Sequence, residues 1–307
     1  MSRTWRAVWL LAALWGAQTG ALAWGDSGHR VVAQIAYLKL TSAAKANVDR
    51  LLVTPPDKRA LIFYADKTYD PITIASWMDD FRGDSLNDSY SPWHYTNYKP
   101  LFDGTPERVA LGPEPVNILD RLYWCINTLR KGSTGRDKTD AELLGFLFHL
   151  VGDSHQPLHA TTRYTPQHPD GDAGGNLFLI EMPPDTRVKN LHSYWDGAAG
   201  LFGFNPIPRD AAGAERIREF ANRLMRENPD ASMPDSKQLD PHAWIEESNA
   251  LARQYAYANI REGQTPSQAY ADAAKKISGR RIALAGYRLA GILNSVYTQP
   301  PATKGKG

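Results

Sequence analysis

Apolar positions recur every three to four residues over most of this chain, the spacing that lays them along one face of a helix. A clear case is ILDRLYWCINTLR, residues 118–130, in which Cys125 falls on the apolar stripe. The pattern predicts helices over about 26–39, 42–53, 71–82, 114–131, 139–155, 190–200, 209–227, 241–260, 266–276 and 278–297. Thr41-Ser42, Asp70-Pro71 and Asp240-Pro241 each put a capping side chain or a proline at a first turn. Two-residue alternation is scarce: only NLFLIEM and the TRVKNLH stretch after Pro183-Pro184 can pair, as a small hairpin. Residues 83–113 and 160–189 are rich in Gly, Pro, Asp and Asn and read as loops. With no internal repeat and no linker, the expectation is one all-α domain with at most that hairpin, over residues 24–297. The closing TQPPATKGKG, residues 298–307, is expected to be a disordered tail.

The first 23 residues break the pattern. Arg3 and Arg6 precede an apolar run from Val8 to Leu14, and Ala21-Leu22-Ala23 is a small-x-small cleavage site, together the signature of a secretory signal. The run is too short to span a bilayer. Cleavage before Trp24 leaves 284 of the 307 residues and removes two of the 35 basic ones, so 33 positive charges face 33 negative ones. A neutral chain has no general pull on nucleic acid or membranes. If the substrate is a polyanion, something bound must supply the charge. Cys125 is the only cysteine, so no disulfide forms within the chain, and its stripe marks it as core rather than nucleophile. Export without disulfides fits a periplasmic or secreted bacterial protein.

The eight histidines carry the chemistry. In FLFHLVGDSHQPLH, His149 and Asp153 are four apart and leave one helix face one turn apart; Pro157 then ends the helix and lets His159 fold back. NLHSYWD repeats the spacing with His192 and Asp196. Imidazole and carboxylate are zinc ligands, and without cysteines the set suits a catalytic site with open positions rather than a closed structural one.

These stretches, with WGDSGH at the new N-terminus, SWMDDFR, WHYTN and GDAGGN, resemble the S1/P1 nucleases, the zinc-dependent single-strand nucleases related in fold to zinc-dependent phospholipase C. The resemblance runs from Trp24 to about Tyr297 and implies three Zn²⁺ ions. One is held by the α-amino nitrogen and carbonyl oxygen of Trp24 together with His29. Asp153 bridges it to a second ion that also takes Asp79, His94 and His149. The third takes His159, His192 and Asp196. Asp79 and Asp153 are then the catalytic carboxylates, Asp79 also orienting water. Six positive charges on three ions turn a neutral chain cationic at its cleft. Tyr95 is expected to stack on a base, Asn97 to face the base edge where other members carry an aspartate, and Asn176 to meet phosphate. His155 is expected near the ligands, and His168 and His242 at the surface.

The implied activity is cleavage of single-stranded DNA and RNA to 5′-phosphates, with mononucleotides as further substrates, by an exported monomer without a membrane anchor. Phospholipase C shares the metal constellation, but GDAGGN and the His94-Tyr95 pairing look like the nuclease side. A non-catalytic periplasmic zinc-binding protein would need extra ligands to close the site, and the sequence offers none.

Overall fold

The computed structural model describes residues 24–52, 69–81, 89–106, 115–132 and 137–299. The signal at residues 1–23, the tail from residue 300 and parts of the 83–113 loop lie outside the described residues. Eight α-helices are described: α1 (Asp26–Leu38), α2 (Ser42–Leu52), α3 (Ile118–Arg130), α4 (Asp137–Ser154), α5 (Leu191–Asp196), α6 (Ala211–Glu227), α7 (Pro241–Leu251) and α8 (Gln268–Val296). The all-α expectation holds.

Caps act where the sequence put them. Asp70 accepts from the backbone N–H of Ile72 and Thr73, Thr41 from that of Ala44, and Asp240 from that of His242. Helix α1 is buried almost all round, Val31, Val32, Ile35 and Ala36 being fully enclosed; each of the larger ones contributes roughly 1.5–3 kcal/mol. It packs against α8, α6 and the 71–81 segment. Leu158, Phe178, Leu191, Trp195, Tyr257 and Tyr270 belong to a second, smaller apolar cluster. The candidate site lies where elements of the two clusters meet.

Five expectations need correction. The 71–82 helix is a 3₁₀ segment, Thr73–Phe81, wound more tightly than an α-helix. The helices expected at 266–276 and 278–297 are one, because Ser278, Arg281 and Ile282 are buried and tertiary packing carries the helix through the weak Ser278-Gly279 pair. The 190–200 helix stops at Asp196, since Ala198 and Ala199 take positive φ, and the 241–260 helix widens into a π-turn at Ala252–Ala256. The expected hairpin shrinks to a single antiparallel bridge, Leu179 with Asn190, flanked by the Ile180–Lys189 and Leu191–Phe178 hydrogen bonds. Pro183 and Pro184 have no N–H to extend it. A feature that the sequence did not announce is a parallel pair, β1 (Leu101–Phe102) with β2 (Arg163–Tyr164), in stretches read as loops; the Phe102 and Tyr164 rings stack at 5.0 Å.

Candidate metal centre

Four elements converge. Helix α1 brings His29, the 3₁₀ segment brings Asp79, the Ser91–His94 turn brings His94, and α4 brings His149 and Asp153 from successive turns of one face. His29 lies over Gly152, where a Cβ would stand 2.7 Å from its Nδ1, so only glycine admits the ring there. The His29 and His149 rings stack at 4.1 Å. All of these residues are buried except Asp79, which is partly so, and its side chain is only 7% exposed.

The two oxygens of Asp153 face different partners. Oδ1 lies 3.2 Å from His29 Nε2, while Oδ2 lies 2.9 Å from His94 Nδ1 and 3.2 Å from His149 Nε2. Asp79 sits across from it, with Oδ2 4.0 Å from His29 Nε2 and Oδ1 3.7 Å from His149 Nε2. His29 Nε2 and Asp153 Oδ1 make no hydrogen bond of good geometry despite their separation. Both point toward shared space.

A second group stands beside the first. His159, on the 3₁₀ turn Pro157–Ala160, meets His192 and Asp196 of α5. His159 Nδ1 is 2.6 Å from the carbonyl of His94, and His192 Nδ1 is 2.7 Å from that of Gly174. A carbonyl only accepts, so each Nδ1 holds the proton and each Nε2 presents a lone pair. Those two Nε2 atoms are 3.1 Å apart, and Asp196 Oδ1 is 3.8 and 3.5 Å from them. Three acceptors converging with no proton of their own are what a cation requires, and the carbonyls behind the rings fix their tautomers. Gly174 reaches His192 from a backbone with φ +64°, and its own Cβ would collide with the Leu158 carbonyl.

The electrostatics agree. Burial, then the neighbouring His149, lowers the pKa of His29; burial likewise lowers those of His94 and His159. At His149 burial pulls the pKa down, but the charges of Asp153 and Asp79 outweigh it and push it up to about 9. Burial would raise the Asp153 carboxyl, yet His149, His29 and His94 hold it well below the usual carboxylate range. The pocket therefore demands positive charge. One proton on His149 supplies some of it, and a divalent cation would supply more. Three groups of side chains have the composition and spacing to hold a metal ion: His29, Asp79 and His149; His94, His149 and Asp153; and His159, His192 and Asp196.

The remaining predicted residues fall as follows. Trp24 is fully buried, and its neighbour Gly25 donates to the Asp196 carbonyl at 2.7 Å and accepts from the N–H of His29 at 3.2 Å, so this turn touches both groups. Tyr95 and Asn97 are half-buried immediately after His94, and the Tyr95 carbonyl takes the first N–H of α3. Asn176 is half-buried, and its amide donates to the Ala173 carbonyl at 2.8 Å, capping its own turn. His155 is not beside the ligand set. Its Nδ1 faces the Val151 carbonyl and its Nε2 accepts from Arg288 at 3.0 Å, while burial, then Arg281 and Arg288, keep it neutral. His168 pairs with Glu262 at 3.1 Å and His242 meets Tyr98 edge-on, both half-buried. Burial pushes the Cys125 thiol up, as a core cysteine requires.

Sequence reasoning missed the supports: the Ala75 carbonyl at 2.7 Å from His149 Nδ1, Gln156 donating to Asp196, and Arg209 holding Asp26 and Asp80 together. The glycines of GDAGGN signalled the Gly174 contact. Nothing in the sequence signalled Arg209.

An all-α fold gathers five histidines and three aspartates into adjoining groups with the composition and spacing to hold metal ions, the donor set that metal-dependent hydrolases use. Residues 24–298 match the S1/P1 Nuclease family, and the chain belongs to it: it is a nuclease. It is 28% identical to Endonuclease 4 of Arabidopsis thaliana over 93% of each chain. With Nuclease S1 of Aspergillus oryzae it shares 25% identity over 90% of this chain and 93% of the other. With Endonuclease 1 of A. thaliana the identity is 30%, over 57% of this chain and 56% of that one.

Proposed function

We propose that the protein is an exported, zinc-dependent endonuclease that hydrolyses phosphodiester bonds of single-stranded DNA and RNA, leaves 5′-phosphates, and also dephosphorylates 3′-mononucleotides. The reading covers one domain, residues 24–297, released by cleavage after Ala23. Among the described residues no helix is long and apolar enough to cross a membrane, which is consistent with release. The observation that carries the proposal is the split of Asp153 between His29 on one oxygen and His94 and His149 on the other, the geometry of a carboxylate that serves two ions.

On this reading Trp24, His29 and Asp153 hold one zinc, Asp79, His94, His149 and Asp153 a second, and His159, His192 and Asp196 a third. Bound zinc would supply Lewis acidity and a water of near-neutral pKa. The chain does the rest. Asp79, whose oxygens face both His29 and His149, orients the attacking water. Tyr95, at the rim after His94, offers a ring to an unpaired base, an interaction worth roughly 1–3 kcal/mol that every base can make. Asn97 has both a donor and an acceptor for the base edge. Asn176 keeps one amide N–H beyond its turn bond for a phosphate oxygen.

The test is the purified mature protein with single-stranded DNA, duplex DNA, RNA, a 3′-mononucleotide and phosphatidylcholine, each with and without chelator. Chelator-sensitive cleavage of single strands, with 5′-phosphate ends, is expected. Turnover of phosphatidylcholine alone would replace the nuclease substrate with a lipid.

A further inference from the structure

His159 and Asp196 stand on different elements, the Pro157–Ala160 turn and the end of α5, and one amide side chain joins them. Gln156 is fully buried, between His155, whose ring faces Arg288, and Pro157, which opens the turn. Proline has no N–H, so Leu158 brings the first amide hydrogen of the turn, and Gln156 Oε1 accepts it at 2.5 Å. The Gln156 amide nitrogen donates to Asp196 Oδ1 at 2.7 Å, across 40 residues of chain. These two partners settle which end of the amide is which, because a backbone N–H needs an acceptor and a carboxylate needs a donor. Reversing the amide would set donor against donor and acceptor against acceptor.

The backbone of Gln156 is tied into the same place. Its N–H donates to the Asp153 carbonyl at 3.0 Å, and its carbonyl accepts from the His159 N–H at 3.1 Å. One residue thus touches Asp153, His159 and Asp196, members of two adjoining groups. The backbone bonds survive any substitution, so what the side chain adds can be separated from them. It bears on the Asp196 carboxylate. Asp196 closes a helix of six residues, and its Oδ1 lies 3.8 Å from His159 Nε2 and 3.5 Å from His192 Nε2. The two rings are aimed by the His94 and Gly174 carbonyls on their Nδ1 atoms. A carboxylate needs a donor for the same service, and Gln156 brings one. Its N–H occupies one lone pair of Oδ1 and leaves the remaining lone pairs of the carboxylate for an ion.

We infer that Gln156 is a positioning residue for the third metal group: its amide holds the Asp196 carboxylate toward the His159 and His192 nitrogens and sets how tightly that group keeps its ion. The inference rests on the three-zinc reading above. It gives Gln156 no contact with substrate and no proton to move. A ligand already held in place loses little rotamer freedom when the ion arrives, and removing such an outer partner costs about 10–100-fold in metal affinity. The effect belongs to one ion of three, because the side chain of Gln156 bonds to a ligand of that group alone.

The experiment separates the two arms of the amide. In Gln156→Asn the oxygen still accepts from the amide two residues on, so the Pro157 turn keeps its cap, while the shorter side chain no longer reaches Asp196. Gln156→Met keeps the length and loses both bonds. Each mature protein is loaded with zinc and titrated with chelator, bound zinc is counted by elemental analysis, and the metal-free Tm is recorded. Gln156→Asn should release one zinc at about tenfold lower chelator and keep the other two, with a metal-free Tm near that of the wild type. Gln156→Met should release the same ion and also melt lower. Combined with Asp196→Ala, Gln156→Asn should leave the two remaining ions as tightly held as in Asp196→Ala alone, within about twofold, which identifies the ion that Gln156 tightens. Raising free zinc should restore turnover of Gln156→Asn on a single-stranded oligonucleotide. Wild-type retention in Gln156→Asn, loosening of all three ions together, or a further ion weakened in the double variant would overturn the positioning role and leave the zinc reading intact. A metal-free Tm that falls as far in Gln156→Asn as in Gln156→Met would make the residue a structural tie only. A wild type that binds no zinc would remove the zinc reading and the inference with it.

Discussion

Asp153 and Asp196 are each four residues past a histidine on a helix, and the sequence alone treats them alike. Their surroundings separate them. Asp153 is fully buried and shared among three imidazoles, whereas Asp196 faces two and takes a hydrogen bond from Gln156 at 2.7 Å. Asp153→Ala should therefore lose two zinc ions and nearly all turnover, and Asp196→Ala one ion with more residual rate. Equal zinc content and equal rates in the two variants would count against a shared carboxylate. Tyr95 stands next to a candidate ligand, His94, without belonging to any of the groups that could hold a metal ion. Tyr95→Ala should raise KM on oligonucleotides by about 1–3 kcal/mol of lost stacking at unchanged zinc content. Steady-state kinetics with no change in KM would mean that the base sits elsewhere.

At the scale of elements, the site depends on how α1 is held against the 3₁₀ segment. Arg209, just before α6, donates to Asp26 at 2.6 and 2.8 Å and to Asp80 at 2.8 Å. Tyr69 donates to Asp80 at 2.6 Å, and Arg30 pairs with Asp26 while donating to the Ile207 carbonyl at 2.7 Å. Asp26 opens the turn that carries His29, and Asp80 follows Asp79 directly. One guanidinium thus fixes the separation of two candidate ligands, with geometry that a lysine cannot reproduce. Arg209→Ala should cost about 1–3 kcal/mol of stability by leaving Asp26 and Asp80 short of a partner. It should also loosen zinc near His29 and Asp79 in a chelator competition, with KM little changed. A lower Tm with full zinc retention would make the tie structural only. Arg209→Lys should rescue charge but not metal retention.

For the whole molecule, bound metal would be coupled to the fold, because the candidate ligands come from elements spread from residue 24 to residue 196 and packed into two apolar clusters. Elemental analysis should return close to three zinc ions per mature chain, and chelator should lower Tm as well as stop turnover. A count of one or none would end the trinuclear proposal. The N-terminus offers a sharper test. A free α-amine has a pKa near 7.7–8.0 and can give its lone pair to zinc, whereas an amide cannot. A protein extended by one residue before Trp24 should fold, lose the zinc held with His29 and lose most activity, while Trp24→Phe with correct cleavage should keep both. An extended protein with full zinc and full rate would show Trp24 to be only an apolar plug.

What the sequence determined by itself was local and chemical. Apolar spacing marked most helices and caps marked several starts, because both are read within a few residues of chain. The four-residue spacing of His149 and Asp153, and of His192 and Asp196, fixed a shared face before any tertiary contact. Family motifs named the rest of the candidate set. Tertiary structure decided what local signals cannot carry. Packing against buried neighbours ran α8 through Ser278-Gly279, and Pro183-Pro184 left a single bridge where a hairpin was expected. His155 sits two residues from Asp153 in sequence, yet the helix turns its ring away to Arg288. The carbonyls of Ala75, His94 and Gly174 that hold the imidazoles, and Arg209 between Asp26 and Asp80, come from distant parts of the chain. A backbone carbonyl has no identity in sequence, and an arginine shows its partner only once the chain has closed around it.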